Sequence, residues 1–279
     1  MEWKEFYIKK RSGGKRLITA PDEELKEKQK QILKELYEIY PSTNFNYAFG
    51  GLPKKNIKKL AEKHIGKEVI IKLDIENFFD NIDKEILIGK LRHDFKKRKL
   101  ENPDILLDKI EKYCFYKNKI PQGAITSPFF SNVYLKAFDR GISVVMKRGY
   151  YTYSRYFDDL TFSLNNKEMI IDAIESEGNI AKPLLIRQII RIVETFLEKL
   201  KLKLNYDKTK VMGKNKRQSV CNVTVNKKIN INRKYYKWLR AIKHHFDNDN
   251  TTTITKEQYL GHLAFVQSIN PEKIEKLKF

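Results

Sequence analysis

The sequence of 279 residues predicts an α+β fold, in which helices back an antiparallel sheet. Val69 to Leu73 is a nearly continuous apolar run, which is typical of a buried central strand. Tyr150 to Leu164 alternates polar residues with β-branched and aromatic ones on both sides of an acidic pair, the pattern of a half-buried hairpin. Ile180 to Leu200 has the spacing of an amphipathic helix, which we expect to pack behind the sheet.

The composition predicts a polyanionic partner and a sizeable core. Lys and Arg number 56 against 35 Asp and Glu, so the formal net charge is +21, and the lysines are spread along the whole chain. A charge of this size raises the affinity for phosphate groups and makes that affinity fall steeply with salt. The same composition would suit a structural RNA-binding protein. With 41% hydrophobic residues, the chain has room for one large domain with an appendage.

The sequence carries no targeting or membrane signal that we recognise. It has no apolar run of about 18 residues, and its N-terminal stretch lacks the apolar segment of a signal peptide. Cys114 and Cys221 are isolated, which fits a reducing compartment. We therefore expect a cytoplasmic protein that does not bind membranes.

Three aspartates form the candidate catalytic centre. Asp158 and Asp159 lie at or just past the predicted hairpin turn, and a hard divalent ion is the best partner for two adjacent like charges. Asp74 ends the apolar run far upstream, so only neighbouring strands of a sheet would bring it to this pair. A polar surface turn for the pair and a helix N-cap for Asp74 are the alternative interpretations. Three carboxylates around two Mg²⁺ ions are the arrangement that nucleotidyl transfer uses.

A loop of small residues lies between these segments, within Ile120 to Tyr134. Its Pro-Gln-Gly and Thr-Ser-Pro sequences predict a constrained turn, with Pro128 in the first turn of the following helix. Small side chains allow a flat base or a backbone to approach closely.

Asp74, the Pro-Gln-Gly loop at 121–123 and the Tyr-Phe-Asp-Asp sequence at 156–159, in this order, resemble the successive polymerase motifs of reverse transcriptases. The resemblance covers most of the chain. It implies a right-hand polymerase fold, with interleaved fingers and palm over residues 1–226 and a short helical thumb over residues 227–279. It also implies RNA-directed DNA synthesis, with a template RNA, an RNA–DNA duplex and deoxynucleoside triphosphates (dNTPs) as partners.

The resemblance also assigns roles to single residues. Asp74, Asp158 and Asp159 match the triad that holds two Mg²⁺ ions. The other matching positions are the backbone carbonyl of Ile75 as a metal or phosphate contact, Gln122 against the incoming nucleotide, and Phe79 as the steric gate beneath its sugar. A ring at position 79 leaves no room for a ribose 2′-hydroxyl, so we expect a DNA product. The alternative is a place in the core, which at least one of Phe78 and Phe79 should occupy.

Three basic residues are further candidates. In the family, the segment that resembles residues 13–21 belongs to the fingers, whose basic side chains grip the triphosphate. Arg16 is our candidate for this contact and Lys15 the second choice. Lys208 lies in a segment that resembles the family's Asn-x-x-Lys-Thr sequence and is a candidate proton donor to the departing pyrophosphate. Solvated surface charge is the alternative interpretation of all three.

The C-terminal segments resemble the primer-binding region and thumb of the family. Ser219 to Ile231 predicts two short strands, in the place where the family holds the primer terminus. Three helices are predicted to follow, over Tyr235 to Phe246, Glu257 to Ile269 and Pro271 to Leu277. A basic stripe on the first helix has the spacing expected for contacts with phosphate groups and consists of Lys237, Arg240, Lys243 and His244.

The compact layout most resembles retron-type bacterial enzymes, which make DNA from a structured noncoding RNA in phage defence. We expect no RNase H, endonuclease or maturase extension after Phe279, which disfavours a mobile-intron protein. An effector or toxin protein is a candidate further partner.

Three departures from the retron pattern leave other defence-associated bacterial reverse transcriptases as an alternative. Leu60 to His64 stands in place of Asn-Ala-x-x-His, Val220 to Asn222 in place of Val-Thr-Gly, and Phe157 in place of Ala. A noncatalytic RNA-binding scaffold and an RNA-dependent RNA polymerase are the remaining alternatives, and Phe79 argues against the second.

Overall fold

The structure is a computed structural model and describes residues 2–9, 13–148, 151–164, 181–248 and 251–278. The strands within these ranges are β1 (Trp3–Lys9), β2 (Lys15–Pro21), β3 (Val69–Asp74), β4 (Tyr151–Tyr156), β5 (Asp159–Leu164), β6 (Lys210–Gly213), β7 (Ser219–Val220), β8 (Val223–Thr224) and β9 (Asn230–Ile231). The helices are α1 (Glu23–Ile39), α2 (Ile57–Glu62), α3 (Lys84–Lys97), α4 (Pro103–Cys114), α5 (Ser127–Arg148), α6 (Ala181–Glu198), α7 (Arg233–Asp247) and α8 (Lys256–Ile269).

A four-stranded antiparallel sheet in the order β4-β5-β3-β6 forms the palm. The apolar run of the sequence is its central strand β3. At the edge lies β6, which the sequence did not predict because its four residues are exposed or half-buried and show no alternation. The sheet with its helices confirms the predicted α+β class.

The residues of β3 face two separate cores. Val69, Ile71 and Leu73 pack with residues of α1, α3, α4, α5 and α6. Ile70 packs on the opposite face, with α2, the strands β7 to β9 and the helices α7 and α8. Because successive residues of a strand face opposite sides, a sheet covered on both faces accounts for the nearly continuous apolar run of β3.

Several helices begin at the signals that the sequence provides. Asp22 caps α1 by accepting a 2.8 Å hydrogen bond from Leu25 N–H. Asp83 caps α3 in the same way through Ile86 N–H, at 3.0 Å. Pro103 lies in the first turn of α4, where its missing N–H costs nothing. No helix among the described residues is both long and apolar enough to cross a membrane.

The C-terminal part differs from the prediction in two details. Residues 219–231 form three short antiparallel strands in the order β7-β8-β9, where two were predicted. The segment predicted as a third helix, Pro271 to Leu277, forms two 3-10 turns instead, Pro271–Lys273 and Glu275–Leu277. Seven residues are too few for a stable isolated helix, because nucleation is costly. β8 lies before the predicted boundary at residue 226 and β9 lies after it. Their pairing therefore joins the predicted fingers-and-palm region to the predicted thumb.

His64 holds the palm hairpin from the side of α2. Its side chain is fully buried, with Nδ1 2.7 Å from Ser163 Oγ on β5 and Nε2 2.6 Å from Ser154 Oγ on β4. Burial lowers the pKa of His64 to about 3, so the ring is neutral at pH 7. In a neutral ring one nitrogen donates and the other accepts, which suits two hydroxyl partners. The histidine of the 60–64 sequence is therefore a structural link inside the protein and not a surface contact.

We predict that His64 makes folding sensitive to acid. Its pKa is lowered in the folded state, so the contribution is complete above the ordinary pKa of 6.5 and is lost as the pH falls towards about 3. The loss is about 1.4 kcal/mol per pH unit, or about 2 kcal/mol between pH 7 and pH 5. Urea unfolding of the wild type and His64→Gln at both pH values measures this. An equal pH dependence in the two proteins would contradict the prediction.

Candidate active site

Strand pairing brings the three predicted aspartates together. β3 and β5 pair in a register that sets Asp74 directly opposite Asp159. Asp158 lies in the two-residue turn between β4 and β5, and its carbonyl oxygen accepts a 3.2 Å hydrogen bond from Ile75 N–H. Opposed residues of antiparallel strands have Cβ atoms about 5 Å apart. The three carboxylates therefore share one small region at the end of the sheet.

Burial and repulsion from neighbouring acids disfavour the charged forms of Asp158 and Asp74. Burial raises the pKa of Asp158 to about 6, and the charges of Asp74 and Asp159 add to the rise. Burial also raises the pKa of Asp74. Two ammonium groups offset the charge, with Lys208 Nζ 2.9 Å from Asp74 Oδ2 and Lys72 Nζ 3.2 Å from Asp159 Oδ1. The hydrogen bond to Asp74 raises the pKa of Lys208, which keeps that side chain protonated.

The donor set fits a hard divalent cation. Crowded carboxylates with raised pKa values gain most from a cation, and oxygen ligands are those that Mg²⁺ prefers. In the part of the chain that the structure describes, no three acidic, histidine or cysteine side chains form a ready-made metal cluster. The ammonium groups of Lys72 and Lys208 lie against two of the carboxylates instead. A divalent cation would compete with them for the same oxygens.

A buried arginine holds the acidic turn from behind. Arg155 is fully buried and bidentate to Asp139, with Nε 2.8 Å from Oδ1 and Nη2 2.9 Å from Oδ2. Its Nη1 donates to Asn132 Oδ1 at 2.9 Å and to the Phe157 carbonyl at 3.3 Å. Asn132 Nδ2 in turn donates to the Gly50 carbonyl at 2.9 Å. This network fixes the acidic turn to α5 and to the loop at residue 50.

Sequence reasoning missed Lys72, Arg155 and Asp139. The sequence does contain a signal for buried charges. Lys72 interrupts an otherwise apolar strand, and Arg155 lies two residues after the buried Tyr153, on the inward side of an alternating hairpin. A charged residue at an inward position requires a partner of opposite charge.

Aromatic rings and glycines shape the surface beside the acids. Phe78 belongs to the core, whereas Phe79 is only half-buried, so the ring at position 79 is the accessible one. The centroid of its ring lies 6.2 Å from that of Phe157. Phe157 packs on Gly50 and Gly51, and a Cβ at Gly50 would lie 2.9 Å from its ring. Phe157 thus fills space that larger residues at 50 and 51 would occupy.

β1 and β2 form an antiparallel hairpin, which we call the fingers hairpin, and Gln122 lies where it meets the palm. Its carbonyl accepts a 2.8 Å hydrogen bond from Thr19 N–H on β2, and its Nε2 lies 3.4 Å from Asp80 Oδ1. Gly123 has a φ of +133°, and a Cβ there would lie 2.8 Å from the Thr19 carbonyl oxygen. Only glycine combines this backbone conformation with such a close approach. The Pro-Gln-Gly loop therefore docks β2 against the palm.

Lys15 and Arg16 lie away from this junction. Both are exposed at the start of β2, opposite Lys9 and Ile8 of β1. Among the described residues, neither has an ion pair with the three aspartates. Lys208, by contrast, lies directly against Asp74, although the sequence left it open as a surface lysine.

The turn between β7 and β8 lies beside the acidic hairpin. Cys221 and Asn222 form this turn, and both have positive φ, +46° and +66°. Burial raises the pKa of Cys221 to about 12, and the charges of Asp159 and Asp158 contribute, so the thiol stays protonated. The positive φ at residue 222 is tolerated because asparagine adopts this conformation more readily than most residues.

The predicted basic stripe on α7 is only partly free. Lys237, Arg240 and His244 are exposed, but Lys243 is half-buried and forms a 2.6 Å ion pair with Asp247. One turn of the helix separates this acid from the lysine.

Comparisons with known proteins agree with this architecture. Residues 8–262 match the reverse transcriptase (RNA-dependent DNA polymerase) family. The retron Mx65 reverse transcriptase of Myxococcus xanthus is 29% identical, with the match covering 98% of this chain and 62% of that protein. The retron Ec83 reverse transcriptase of Escherichia coli is 28% identical, with the match covering 99% of this chain and 86% of that protein.

Among solved structures, two telomerases have a similar fold. The telomerase of Candida albicans, in complex with a fragment of telomeric RNA, gives a TM-score of 0.55 at 12% identity, covering 99% of this chain and 60% of that one. The apo telomerase of Candida tropicalis, truncated from its C-terminal domain, gives a TM-score of 0.56 at 13% identity. This match covers 82% of the present chain and 55% of the telomerase chain. At this identity the likeness shows the fold alone.

An antiparallel palm sheet that ends in opposed acids, with a fingers hairpin docked against it, defines a right-hand polymerase. The chain belongs to the reverse transcriptase (RNA-dependent DNA polymerase) family, whose match covers most of its length. The curated relatives confirm the prediction of a bacterial, retron-type reverse transcriptase.

We predict that Arg155→Met destabilises the protein by about 3–5 kcal/mol, because it leaves the carboxylate of Asp139 buried without its partner. Adding Asp139→Asn should recover about 1–3 kcal/mol, since the amide removes the buried charge and still accepts from Tyr153 OH. Urea unfolding of the single and double variants measures both effects.

Arg92→Met, at an exposed arginine on α3, is the control and should change the free energy of unfolding by less than about 0.5 kcal/mol. A cost for Arg155→Met as small as that of the control would show that the network does not hold the hairpin.

Proposed function

We propose that this protein is an RNA-directed DNA polymerase that copies a structured noncoding RNA into DNA, in a retron-like antiphage defence system. The observation that carries the proposal is the strand register that opposes Asp74 to Asp159 beside the turn at Asp158. Family membership and the retron relatives support it. The chain spans 62% of the length of the Mx65 enzyme, so activity, substrates and partners are part of the proposal.

The three aspartates would hold two Mg²⁺ ions. Such ions, when bound, lower the pKa of an attacking 3′-hydroxyl and balance charge on the triphosphate. The protein supplies carboxylates fixed by strand pairing, so little reorganisation is needed when substrates bind. Lys208 is protonated beside Asp74 and is the proton donor to the departing pyrophosphate in this proposal.

The remaining candidate residues bind the incoming dNTP. Phe79 lies beneath the sugar, Gln122 against the nucleotide, and the carbonyl of Ile75 at the metal or phosphate. The exposed side chains of Lys15 and Arg16 reach the triphosphate from the fingers hairpin. The accessible ring at position 79 and the docking of the Gln122 loop on β2 support this assignment.

The RNA–DNA duplex would lie between the interleaved fingers and palm, residues 1–226, and the thumb, residues 227–279. The exposed Lys237, Arg240 and His244 would lie near its phosphate groups. A cytoplasmic location and an effector or toxin partner belong to the same proposal and rest on the retron resemblance. A defence-associated reverse transcriptase with a different template or priming group is the alternative, because the sequences at 60–64 and 220–222 depart from the retron pattern.

Primer extension on the copurifying RNA, with dNTPs and Mg²⁺, tests the function. We expect DNA synthesis by the wild type and a loss of at least about a thousand-fold in Asp158→Asn, since an amide cannot replace an ionic metal ligand. Asp108→Asn changes an exposed acid on α4 by the same chemistry and should keep full activity.

Two outcomes would overturn the proposal. No extension by the wild type would leave a noncatalytic RNA-binding scaffold. Extension with ribonucleotides in preference to dNTPs would indicate an RNA-dependent RNA polymerase.

We predict that Phe79→Val relaxes the choice of sugar. Without the ring, a ribose 2′-hydroxyl fits, so the ratio of kcat/KM for a dNTP to that for the matching ribonucleotide should fall by about 10- to 100-fold. Steady-state incorporation of both nucleotides measures the ratio. An unchanged ratio would remove Phe79 as the steric gate.

A further inference from the structure

A cavity of about 770 Å³ lies between α3, α5 and the loop of residues 43–47. We call it the α3–α5 groove, and its walls include Thr43, Asn46, Tyr47, Lys97, Arg98 and Arg140. A smaller cavity beside it adds Lys90 and shares His93, Asp94 and Lys136 with it. The depression therefore continues along both helices.

The acids of the groove are already neutralised. Asp94 pairs with Lys136 and accepts a 2.9 Å hydrogen bond from Tyr40 OH. Asp139 is held by the buried Arg155. These pairs leave the other cations of the groove to set its charge.

Three exposed cations of the groove have no acidic partner among the described residues: Lys97, Arg98 and Arg140. Arg98 is nevertheless held in place, because it donates to Asn44 Oδ1 at 3.1 Å and lies 5.2 Å from the centre of the Tyr40 ring. An arginine fixed in this way loses less side-chain entropy when it binds a phosphate group.

Polar and aromatic groups complete the lining. Thr43, Asn46 and Ser143 contribute hydroxyl and amide groups. Tyr47 is half-buried, and its ring stacks on Tyr153 with centroids 5.7 Å apart. A concave surface with unpaired cations, neutral hydrogen-bonding groups and a supported ring suits RNA, which offers phosphates, 2′-hydroxyls and bases.

We propose that the α3–α5 groove binds the phosphate backbone of the folded RNA away from the catalytic turn. This inference rests on the proposed function, which supplies the RNA. α3 has 14 residues, so Lys97, at its C-terminal end, lies about 20 Å along the helix from Asp83. None of the groove's lining residues is one of the three candidate catalytic aspartates, and none lies on α7 or α8. A duplex at the catalytic turn and an RNA segment in the groove would therefore contact different residues.

The double variant Lys97→Gln with Arg140→Gln tests the groove. The matched control is Lys109→Gln with Lys112→Gln, which removes the same charge from exposed positions of α4. The probe is an end-labelled stem–loop RNA without a primer, and its binding is measured by fluorescence anisotropy over a range of salt concentrations. We expect weaker binding of the groove variant, with a slope of log K against log salt smaller by about 2, one for each lost phosphate contact.

The control should keep both the affinity and the slope of the wild type. Equal binding by the groove variant and the control would overturn the proposal. The proposal would also be overturned if the groove variant bound RNA as tightly as the wild type while the groove captured an acidic peptide specifically. The groove would then be a protein-binding surface.

A second measurement does not depend on variants. Ultraviolet crosslinking of the same RNA to the wild-type protein, followed by mass spectrometry, should yield a crosslinked peptide that contains Tyr47. Crosslinks confined to the palm hairpin and α7 would contradict the proposal. Primer extension by the wild type on a short synthetic RNA–DNA hybrid reports the proposed function separately, so failure of one proposal is distinguishable from failure of the other.

Discussion

The pairing of β3 with β5 is the constraint on which the rest of the site depends. Its register sets Asp74 opposite Asp159 and brings Ile75 N–H to the carbonyl of Asp158. A slip of one residue would turn Asp74 to the other face of the sheet and exchange the two cores that β3 serves. The apolar residues that bury β3 on both faces therefore also fix the position of the acid at its end.

Two buried polar groups hold the hairpin that carries the other acids. Arg155 ties its turn to α5, and His64 ties its strands to the end of α2. Each group is costly to bury unless all its partners are present, so both favour one placement of the hairpin over others. The lysines at the acids act differently, because Lys72 and Lys208 balance charge that burial and proximity make unfavourable.

Local pattern was enough to predict β3, the palm hairpin and most helices, because apolar periodicity and caps act over a few residues. The order of three motifs was enough to identify the family. The partners of buried charges were not predictable, since Asp139 meets Arg155 only in the folded protein. The third thumb helix was predicted wrongly, because seven residues are too few for a stable helix and two short 3-10 turns already bury Ile274 and Leu277 in the core.

The most direct measurement of the central claim replaces Mg²⁺ by iron(II) and maps where the bound ion cuts the backbone in the presence of ascorbate and peroxide. If the three carboxylates share one metal centre, cleavage should occur both near residue 74 and near residues 158–159, and Asp158→Asn should lose both sets of cuts. Cleavage near only one of these segments would contradict the account.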